Sequence, residues 1–457
     1  MTLASDARRI FRAGVSAVDP ARAVRRNLSR RGSTIRLGTR SYPLAHRGAV
    51  RFVAIGKAAG AMVDAATRAV GGSCEAVAVT PRGYPAPGRD VRTLFGEHPV
   101  PGVGSFRAGR VLLEFAGETP PEDLVLFLIS GGGSAIAEAP ASGLAPEDIS
   151  RTTELLLASG APIGSMNAVR RHLSRLKGGQ LAQAASPARF ATLALSDVVG
   201  DTPADIASGP TVPDPTTFRD ALAVLGRYDL DRRLPSPVTR HLLEGGRGRH
   251  AETPKPGDPR FRAAPFVIVG SNRLALGASA RAARSMGYRP EVVERPIVGE
   301  TRLAAVRFAR RLVTGRRAQP RALLAGGETT VTLGYRPGRG GRNQEFALSA
   351  SWPIAGHNAV VLSAGTDGVD GPTDAAGGWV DGRSWSQSRA LRVDISTALA
   401  HHSAYDALDR LGSLLRTGPT GTNVMDLHVG LAERDLSRST EGSRRRDAAP
   451  SSRRRRS

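Results

Sequence analysis

The chain has 457 residues, of which 40% are hydrophobic, and a formal net charge of +23 at pH 7. This length predicts two domains, because single hydrophobic cores rarely grow beyond about 250–300 residues. One cysteine excludes internal disulfides, no stretch approaches the roughly 18 apolar residues of a membrane span, and the N-terminus has no signal-peptide core. The sequence therefore predicts a cytoplasmic protein without a membrane span.

Arginine carries almost all of the positive charge, since the only lysines are Lys57, Lys177 and Lys255. The Arg/Ser-rich segment 437–457 holds part of that charge and is predicted to be a disordered tail. Aromatic residues make up only 5% of the chain, so the basic patches interleaved with aromatics that nucleic-acid binding favours are missing. We therefore expect no nucleic-acid partner, and no membrane partner either.

In chain order, Ala49–Ile55 predicts a buried strand, Ala58–Val70 a helix and Ala76–Thr80 a second strand. Together they indicate a βαβ unit and a parallel sheet covered on both faces. The other elements predicted in this half are strands at Leu124–Ile129 and Phe190–Leu195 and helices at Ile149–Ser159 and Met166–Ala185.

A stretch rich in proline, glycine and charge, Pro235–Arg262, indicates the domain boundary. We place the domains at residues 1–245 and 246–436, before the tail. The elements predicted in the second domain are strands at Phe266–Val269, Glu291–Glu294, Ala322–Ala325, Thr329–Gly334 and Ala359–Ser363, and helices at Asn272–Met286 and Glu300–Val313.

Glycines, hydroxyls and carboxylates cluster directly after the apolar strands. This happens at Gly56-Lys57, Ser130–Ser134, Ser196-Asp197, Gly326–Glu328 and Gly365–Asp370. Ligands of open α/β sheets bind at the carboxyl ends of strands. Five such turns in one chain predict a convergent polar site between the domains.

The best candidate for a phosphate cradle is the segment Ile129–Ala135, because successive glycines let backbone N–H groups point at an anion. Its cradle residues are Ser130, Gly131, Gly132, Gly133 and Ser134. An ordinary strand-to-helix turn is the alternative. The chain has neither the Walker A pattern nor G-x-G-x-x-G, and the absence of the latter argues against a nicotinamide-dependent enzyme.

The candidate metal-binding carboxylates are Asp197, Asp201, Glu328 and Asp367. Asp197 and Asp201 follow a strand, where a carboxylate can bind Mg²⁺ or orient a substrate hydroxyl. A pair of turn or helix-capping aspartates is the alternative. Asp367 shares a glycine-rich segment with Asp370 and Asp374, which form either a metal-binding or a hydrogen-bonded loop.

Three cations beside glycines are candidates for binding substrate anions. Lys57 in IGKAAG and Lys177 in RLKGGQ suit a phosphate site as compact point charges, and Arg342 in GRGGRNQE can bind a phosphate or carboxylate bidentately. The pair His401-His402 is predicted to lie on the surface, since adjacent helical residues do not face one way.

Taken together, these strings resemble the glycerate 2-kinase family, whose C-terminal half is the MOFRL domain. The resemblance covers nearly the whole chain before the tail. The matching stretches are Ile55–Met62, His98–Ser105, Leu128–Ala135, Met166–Ala182, Leu195–Thr217, Glu252–Pro259, Gly326–Thr332, Gly338–Leu348, Gly365–Gly377 and Thr417–Leu427.

The resemblance implies a two-domain α/β fold with an N-terminal Rossmann-like parallel sheet, a second mixed-sheet domain and an active site in the cleft between them. It implies that ATP and Mg²⁺ serve the phosphorylation of D-glycerate to 2-phosphoglycerate. Lys57, Arg342 and Asp197 become the leading catalytic residues, and we assign Asn167 and Lys177 to nucleotide binding with the glycine loop. A homodimer is left open, and a nicotinamide-dependent hydroxypyruvate reductase is the alternative activity.

Overall fold

A computed structural model describes residues 2–72, 74–315, 319–334 and 336–433, so the tail predicted at 437–457 lies outside the described residues. Its strands are β1 (Leu28–Arg31), β2 (Thr34–Leu37), β3 (Arg40–Pro43), β4 (Val50–Ile55), β5 (Cys74–Pro81), β6 (Arg92–Gly96), β7 (Leu124–Ile129), β8 (Arg189–Leu195), β9 (Phe266–Gly270), β10 (Arg289–Val292), β11 (Ile297–Glu300), β12 (Arg321–Thr330), β13 (Ala359–Gly365), β14 (Gly377–Asp381), β15 (Leu414–Leu415) and β16 (Asp426–Ala432).

Its α-helices are α1 (Leu3–Ala17), α2 (Pro20–Asn27), α3 (Ala59–Val70), α4 (Val103–Gly117), α5 (Gly133–Ile136), α6 (Pro146–Ala158), α7 (Ile163–His172), α8 (Gln180–Ala184), α9 (Phe218–Arg227), α10 (Ser236–Gly246), α11 (Asn272–Ser285), α12 (Thr301–Val313), α13 (Arg342–Ala350), α14 (Ser384–Ala390), α15 (Ile395–Ala400) and α16 (Ala404–Arg410). No helix in the described part of the chain combines the length and the apolar character that crossing a bilayer requires.

One sheet is formed by six parallel strands in the order β6-β5-β4-β7-β8-β9. Counted along the chain, this is the order 3-2-1-4-5-6 of the Rossmann fold. Alternate residues of β4 enter two cores: Phe52 and Ala54 pack with α2 and α3, whereas Val53 and Ile55 pack with α4 and α8. The Rossmann-like sheet predicted for the N-terminal half is confirmed.

A second sheet has seven strands and is mixed, as predicted. Its order is β10-β12-β16-β13-β14-β15, and β11 also pairs with β12. β10 and β11 run parallel to β12, and the remaining neighbours are antiparallel. Leu323 and Ala325 of β12 pack with α12 and α13, whereas Ala322 and Leu324 pack with α1 and α11. Helices therefore cover both faces of this sheet too. A small antiparallel sheet, β1-β2-β3, pairs with neither, but its residues Ile35 and Leu37 pack in the core on the α3 side of the parallel sheet.

Each large sheet and the helices that cover it form one unit. Each of the two units includes one element from the other side of the boundary predicted at residue 245. β9 follows that boundary, yet it is the edge strand of the parallel sheet, paired with β8. α1 begins the described chain, yet Phe11 packs in the core of the mixed sheet, and Ser279 of α11 donates a hydrogen bond to the Ile10 carbonyl at 3.1 Å. A division at residue 245 therefore does not separate the two sheets, which divide at Ser271.

Two predicted elements differ from the structure where glycines occur. The helix predicted at Met166–Ala185 is two helices, α7 and α8, because Gly178 and Gly179 adopt φ values of 60° and 85° between them. Conversely, the two strands predicted around Gly326 form one continuous strand, β12. Its pairing with β16 runs through Gly326 and Gly327 without a break.

Candidate active site

Polar turns from both units meet at the carboxyl ends of the parallel strands. The strand order reverses between β4 and β7, and such a switch point is where open α/β sheets bind ligands. Gly56 and Lys57 follow β4, and Ser130 and Gly131 follow β7. From the other unit, the Asp367 carboxylate lies 3.4 Å from Lys57 Nζ. The turns that predicted a convergent site are therefore brought together across the two units.

The loops after β4 and β7 hold each other by close backbone contact. Gly56 has a φ of 126°, and a Cβ on it would lie 2.2 Å from Ser130 Oγ. The buried Ser130 hydroxyl accepts the Ala58 amide at 3.0 Å, so it joins the two loops instead of facing a ligand. A Cβ on Gly131 would lie 2.0 Å from Asp197 Oδ2. Glycine at 131 therefore lets the Asp197 carboxylate lie against the loop.

The rest of the glycine loop offers backbone groups and one hydroxyl. Gly132 has a φ of 83°, and α5, which begins at Gly133, is only 4 residues long. A helix of one turn contributes little dipole, so α5 adds little to the attraction of this loop for an anion. The Ser134 hydroxyl is half-buried and lies 2.8 Å from the Ser208 hydroxyl. Any anion held here would depend mainly on backbone N–H groups.

Asn167 lies in the interior behind that loop and not at the cleft surface. Its Oδ1 accepts the Ser208 hydroxyl at 2.8 Å, and its Nδ2 donates to Asp205 Oδ1 at 3.0 Å. The side chain is fully buried. The geometry therefore makes Asn167 a support for Ser134 through Ser208, in place of the predicted direct contact with a nucleotide.

Lys177 is also placed in the interior. Its Nζ is bonded to the Glu138 carboxylate, and the residue is 2% exposed. Burial lowers the pKa of Lys177, and the charge of Glu138 opposes that shift. The flanking glycines turn the chain between α7 and α8. Lys177 already has its partner inside the protein, so the structure does not support its assignment to an ATP phosphate.

Lys57 stands where the two units meet. Besides the contact with Asp367, its Nζ lies 5.6 Å from the centre of the Tyr84 ring. Burial lowers the pKa of Lys57, but the charges of Asp367 and Tyr84 outweigh burial, so the pKa is raised overall. Lys57 is therefore a fixed cation at neutral pH.

Asp197 has the properties of a proton acceptor. Burial and the charge of Glu328 raise the pKa of Asp197 to about 6, against the opposing charge of Lys57. A carboxylate with a pKa close to neutrality can take a proton from a hydroxyl more readily than an ordinary aspartate. The strand β8 delivers this group to the glycine loop, as the sequence predicted.

The four predicted metal-binding carboxylates do not form a ready-made metal centre. Glu328 is paired with Arg342 and Asp367 with Lys57. Asp201 follows Gly200 in a left-handed turn (φ 87° and 55°). Within the described ranges, no three His, Cys, Asp or Glu side chains are placed to hold one metal ion.

Arg342, the first residue of α13, is held by two carboxylates. Its Nε and Nη2 donate to Asp426 at 2.7 and 3.1 Å, and its Nη1 donates to Glu328 Oε1 at 2.6 Å. The charge of Asp426 raises the pKa of Arg342 although burial opposes it. Arg342 is therefore a permanent cation with a fixed orientation.

Asp370 caps the helix that carries Arg342. Its Oδ1 accepts the Asn343 amide at 3.0 Å and its Oδ2 accepts the Gln344 amide at 2.8 Å. Burial and the charge of Asp426 raise the pKa of Asp370 to about 7, although these two backbone hydrogen bonds lower it. Of the two roles left open for Asp370, the structure shows the hydrogen-bonded one.

A cleft of about 660 Å³ separates the units at this point. The C-terminal unit supplies most of its wall, including Thr329–Val331, Pro337 and Arg342. A second cavity of about 360 Å³ lies against the parallel sheet, and its wall includes Arg82 and Phe95. Three side chains line both spaces: Lys57, Tyr84 and His98.

Two histidines of the cleft were missed from the sequence. His98 follows β6, a strand of 5 residues that was not predicted, so nothing placed His98 at the strand ends. His402 was predicted to lie on the surface, but it lines the cleft, and its Nδ1 lies 3.2 Å from Glu345 Oε2. A backbone φ of 54° at His402 turns it inward, whereas His401 is exposed as predicted.

Two family models match the chain. A domain of unknown function, DUF4147, matches residues 6–243, and the MOFRL family matches residues 321–426. Together they cover both units of the cleft.

Similar proteins match over almost the whole length. A "Glycerate 2-kinase" of Pyrococcus horikoshii is 38% identical over 93% of this chain and 96% of its own. A "Putative hydroxypyruvate reductase" of Agrobacterium vitis is 40% identical over 92% of this chain and 93% of its own. The crystal structure of a glycerate kinase from Thermotoga maritima superposes with a TM-score of 0.80 at 37% identity, covering 94% of this chain and 99% of that one.

Proposed function

We propose, since this chain belongs to the glycerate 2-kinase family with a MOFRL domain, that it phosphorylates D-glycerate with ATP at the 2-hydroxyl, giving 2-phosphoglycerate and ADP. The observation that carries the proposal is the meeting of Lys57, Asp197 and the glycine loop with Arg342 across the cleft. Phosphoryl transfer needs positioned cations and a proton acceptor more than covalent chemistry, and these groups supply both.

Each side chain has a role in this proposal. The 2-hydroxyl of glycerate would lie beside Asp197, which accepts its proton as the oxygen attacks the terminal phosphorus. Lys57 and Arg342 would stabilise the negative charge that spreads over the phosphoryl oxygens in the transition state. Backbone N–H groups of Gly131–Gly133 would orient the phosphates. The pairing of Lys57 with Asp367 is loose enough, at 3.4 Å, for a phosphate to compete.

Mg²⁺ is part of the proposal, and the residues present fit it. Asp197, Glu328 and Asp367 are close enough for their charges to interact, because Glu328 and Asp367 each raise the pKa of Asp197. Mg²⁺ usually takes one or two carboxylates together with substrate phosphates. Glu328 and Asp367 would hold it, which leaves Asp197 to accept the proton, and when bound it would supply positive charge to the phosphate oxygens.

The test is an assay with purified protein, ATP, D-glycerate and MgCl₂, followed by ³¹P NMR of the product. We expect ADP release that depends on D-glycerate, a phosphorus signal coupled to the proton on carbon 2, and loss of turnover with excess EDTA. Phosphorus on carbon 3, or NADH oxidation with hydroxypyruvate and no ADP, would overturn the proposal. The second outcome would assign to this chain the activity in the name of its Agrobacterium relative.

A further inference from the structure

Arg170 is a half-buried cation without a protein partner. It lies on α7, and among the described residues its guanidinium has no hydrogen bond and no ion pair. The next residue, Arg171, shows the usual arrangement for an inward-facing arginine: it binds Asp205 at 2.8 Å and Asp214 at 3.2 Å. A charge removed from water is costly unless it is paired. The missing partner of Arg170 is therefore expected to be an anion that comes and goes.

The nearest acid cannot neutralise Arg170, because it is already used. The Glu138 carboxylate is bonded to Lys177 Nζ, and it also accepts the Ser174 hydroxyl at 2.5 Å and the Ala139 amide at 2.9 Å. Glu138 therefore has one negative charge for two cations, Lys177 and Arg170. Its charge acts on Arg170 without reaching hydrogen-bond distance, and burial lowers the pKa of Arg170. One positive charge is therefore left over beside Glu138.

The position of Arg170 directs that charge toward the reaction site. Residues three apart lie on one face of a helix, so Arg170 shares a face of α7 with Asn167. Asn167 accepts the Ser208 hydroxyl at 2.8 Å, and that hydroxyl lies 2.8 Å from Ser134 in the glycine loop. This face of α7 is therefore directed at the loop after β7.

His98 relates Arg170 to the cleft itself. Burial, together with the charges of Lys57 and Arg170, lowers the pKa of His98, which lines the cleft. A Cβ on Gly132 would lie 3.5 Å from His98 Cδ2 and 3.4 Å from Lys57 Cγ. Arg170 is thus within electrostatic reach of the group of residues at the strand ends, on the side of the parallel sheet.

We propose that Arg170 binds the carboxylate of the acceptor and so selects 2-hydroxy acids over neutral polyols. The inference rests on the proposed function. The planar guanidinium matches a carboxylate bidentately, and a binding site with a buried charge strongly rejects analogues that leave the charge unpaired. With the ATP phosphates at the glycine loop, the rest of the nucleotide would occupy the larger cleft, whose wall belongs mostly to the other unit. Arg170, whose charge acts on His98 at the border of both cavities, remains for the small acceptor.

The test is steady-state kinetics in which D-glycerate and ATP are varied separately. Arg170→Gln is expected to raise the KM for D-glycerate about 10- to 100-fold, the effect of losing a charge-assisted hydrogen bond, and to change the KM for ATP less than about 2-fold. Arg170→Lys should fall between, because it keeps the charge but loses the planar fork. Arg175→Gln, an exposed arginine five residues on, is the matched control and should match wild type.

Glycerol as a second acceptor separates a lost carboxylate contact from a general defect. The ratio of kcat/KM for D-glycerate over glycerol should fall in Arg170→Gln by the factor seen in KM, and guanidinium chloride at low millimolar concentration should restore part of it in Arg170→Ala. An unchanged KM for D-glycerate, or an equal rise for ATP, overturns the inference. A wild-type protein that does not phosphorylate D-glycerate overturns the proposed function instead, and calorimetric binding of D-glycerate then tests Arg170 directly.

Discussion

At the scale of single residues, the two charges closest to the reaction differ in how they are held. Lys57 contacts Asp367 across the cleft, whereas Asp197 lies against Gly131 with a raised pKa. Neither arrangement optimises stability. A cation kept away from close pairing and a carboxylate kept from full ionisation are features that active sites use.

Replacing Lys57 tests its role as a transition-state cation. Lys57→Met should lower kcat/KM by about 100-fold or more, since one positioned group is typically worth that much. Stability should change by less than about 1 kcal/mol, because the pair with Asp367 is partly exposed and long. Lys255→Met is the contrasting control. Lys255 donates to Thr253 at 2.7 Å and pairs with Glu252 at 2.9 Å. Lys255→Met removes these contacts, so it should lower the melting temperature and leave turnover intact.

Replacing Asp197 should trade activity for stability. Its pKa is raised from 3.8 to about 6 in the folded state, so ionisation penalises folding increasingly from pH 4 to 6, and fully above. Asp197→Asn should therefore unfold at a higher temperature than wild type at pH 7.5, by about 1–3 kcal/mol of stability, and the difference should vanish near pH 4. Differential scanning calorimetry at both pH values measures it.

The same group sets the pH dependence of the reaction. In wild type, kcat/KM should fall below a pKa of about 6, because a protonated Asp197 cannot accept the hydroxyl proton. Asp197→Asn should lose most of its activity and this acidic limb. An unchanged limb in the variant would move the proton acceptor to another group.

Sequence patterns identify polar residues that directly follow strands, but they do not reveal partners that are distant in the chain. Lys57, Asp197 and Arg342 were predicted because glycines and charge directly follow or precede regular elements, and Lys57 and Arg342 line the cleft. Lys177 had the same local pattern, but its partner, Glu138, is 39 residues away, and nothing local distinguishes a buried pair from a phosphate site. Arg170 was not predicted as a site residue, since an unpaired arginine in a basic helix has no sequence signal.

At the scale of elements, α13 is the part that depends most on another segment. Arg342 is the first residue of α13, so its position depends on where the helix begins. Asp370, in the loop after β13, fixes that point by accepting amides of the first turn of the helix. Short elements account for most of the missed structure. β6 and β15 have 5 and 2 residues, too few to show a periodic pattern. β16 carries the polar Asp426 and His428, which interrupt the apolar run expected of a central strand.

Removing the cap of α13 should therefore reduce both stability and turnover. Asp370→Ala leaves the buried amides of Asn343 and Gln344 without acceptors, at a cost of about 1–3 kcal/mol. Activity should fall further than the folded fraction does, because Arg342 moves with the helix. Urea denaturation and kinetics on the same sample separate the two effects. Asp374→Ala on the same loop removes an exposed pair with Arg416 and should have little effect. Equal losses in both variants would argue against the cap.

At the scale of the whole molecule, the two units are interleaved along the chain. The family model that ends at residue 243 and the composition change near 245 both precede β9, which completes the parallel sheet. Composition marks where the chain becomes polar, and it does not reveal which sheet the next strand joins. β8 and β9 are more than 70 residues apart in the chain, so their pairing depends on tertiary packing and cannot be predicted from local sequence patterns.

Two fragments test this division. Residues 19–271 keep all six parallel strands and omit α1, so we expect a soluble fragment that unfolds cooperatively. Residues 1–245 expose the edge of β8 and the apolar face of α1, and they lose the contact of Glu252 with His172 at 3.0 Å. That fragment should aggregate. Size-exclusion chromatography and thermal melts followed by circular dichroism compare them. A well-behaved 1–245 fragment would mean that β9 is dispensable.

The placement of α1 has a consequence for the newly made chain. The Thr422 hydroxyl donates to the Val18 carbonyl across 404 residues of sequence. Ile10 and Phe11 of α1 pack with Leu427 and Val429 of β16, the last described strand, so the core around α1 is completed late. At about 5–20 residues per second, translation needs roughly 20–80 s to cover that distance. The parallel sheet closes with β9 well before then. Until α11 and then β16 have been made, Ile10 and Phe11 lack the residues that bury them, and we expect α1 to be the segment that a nascent-chain chaperone shields.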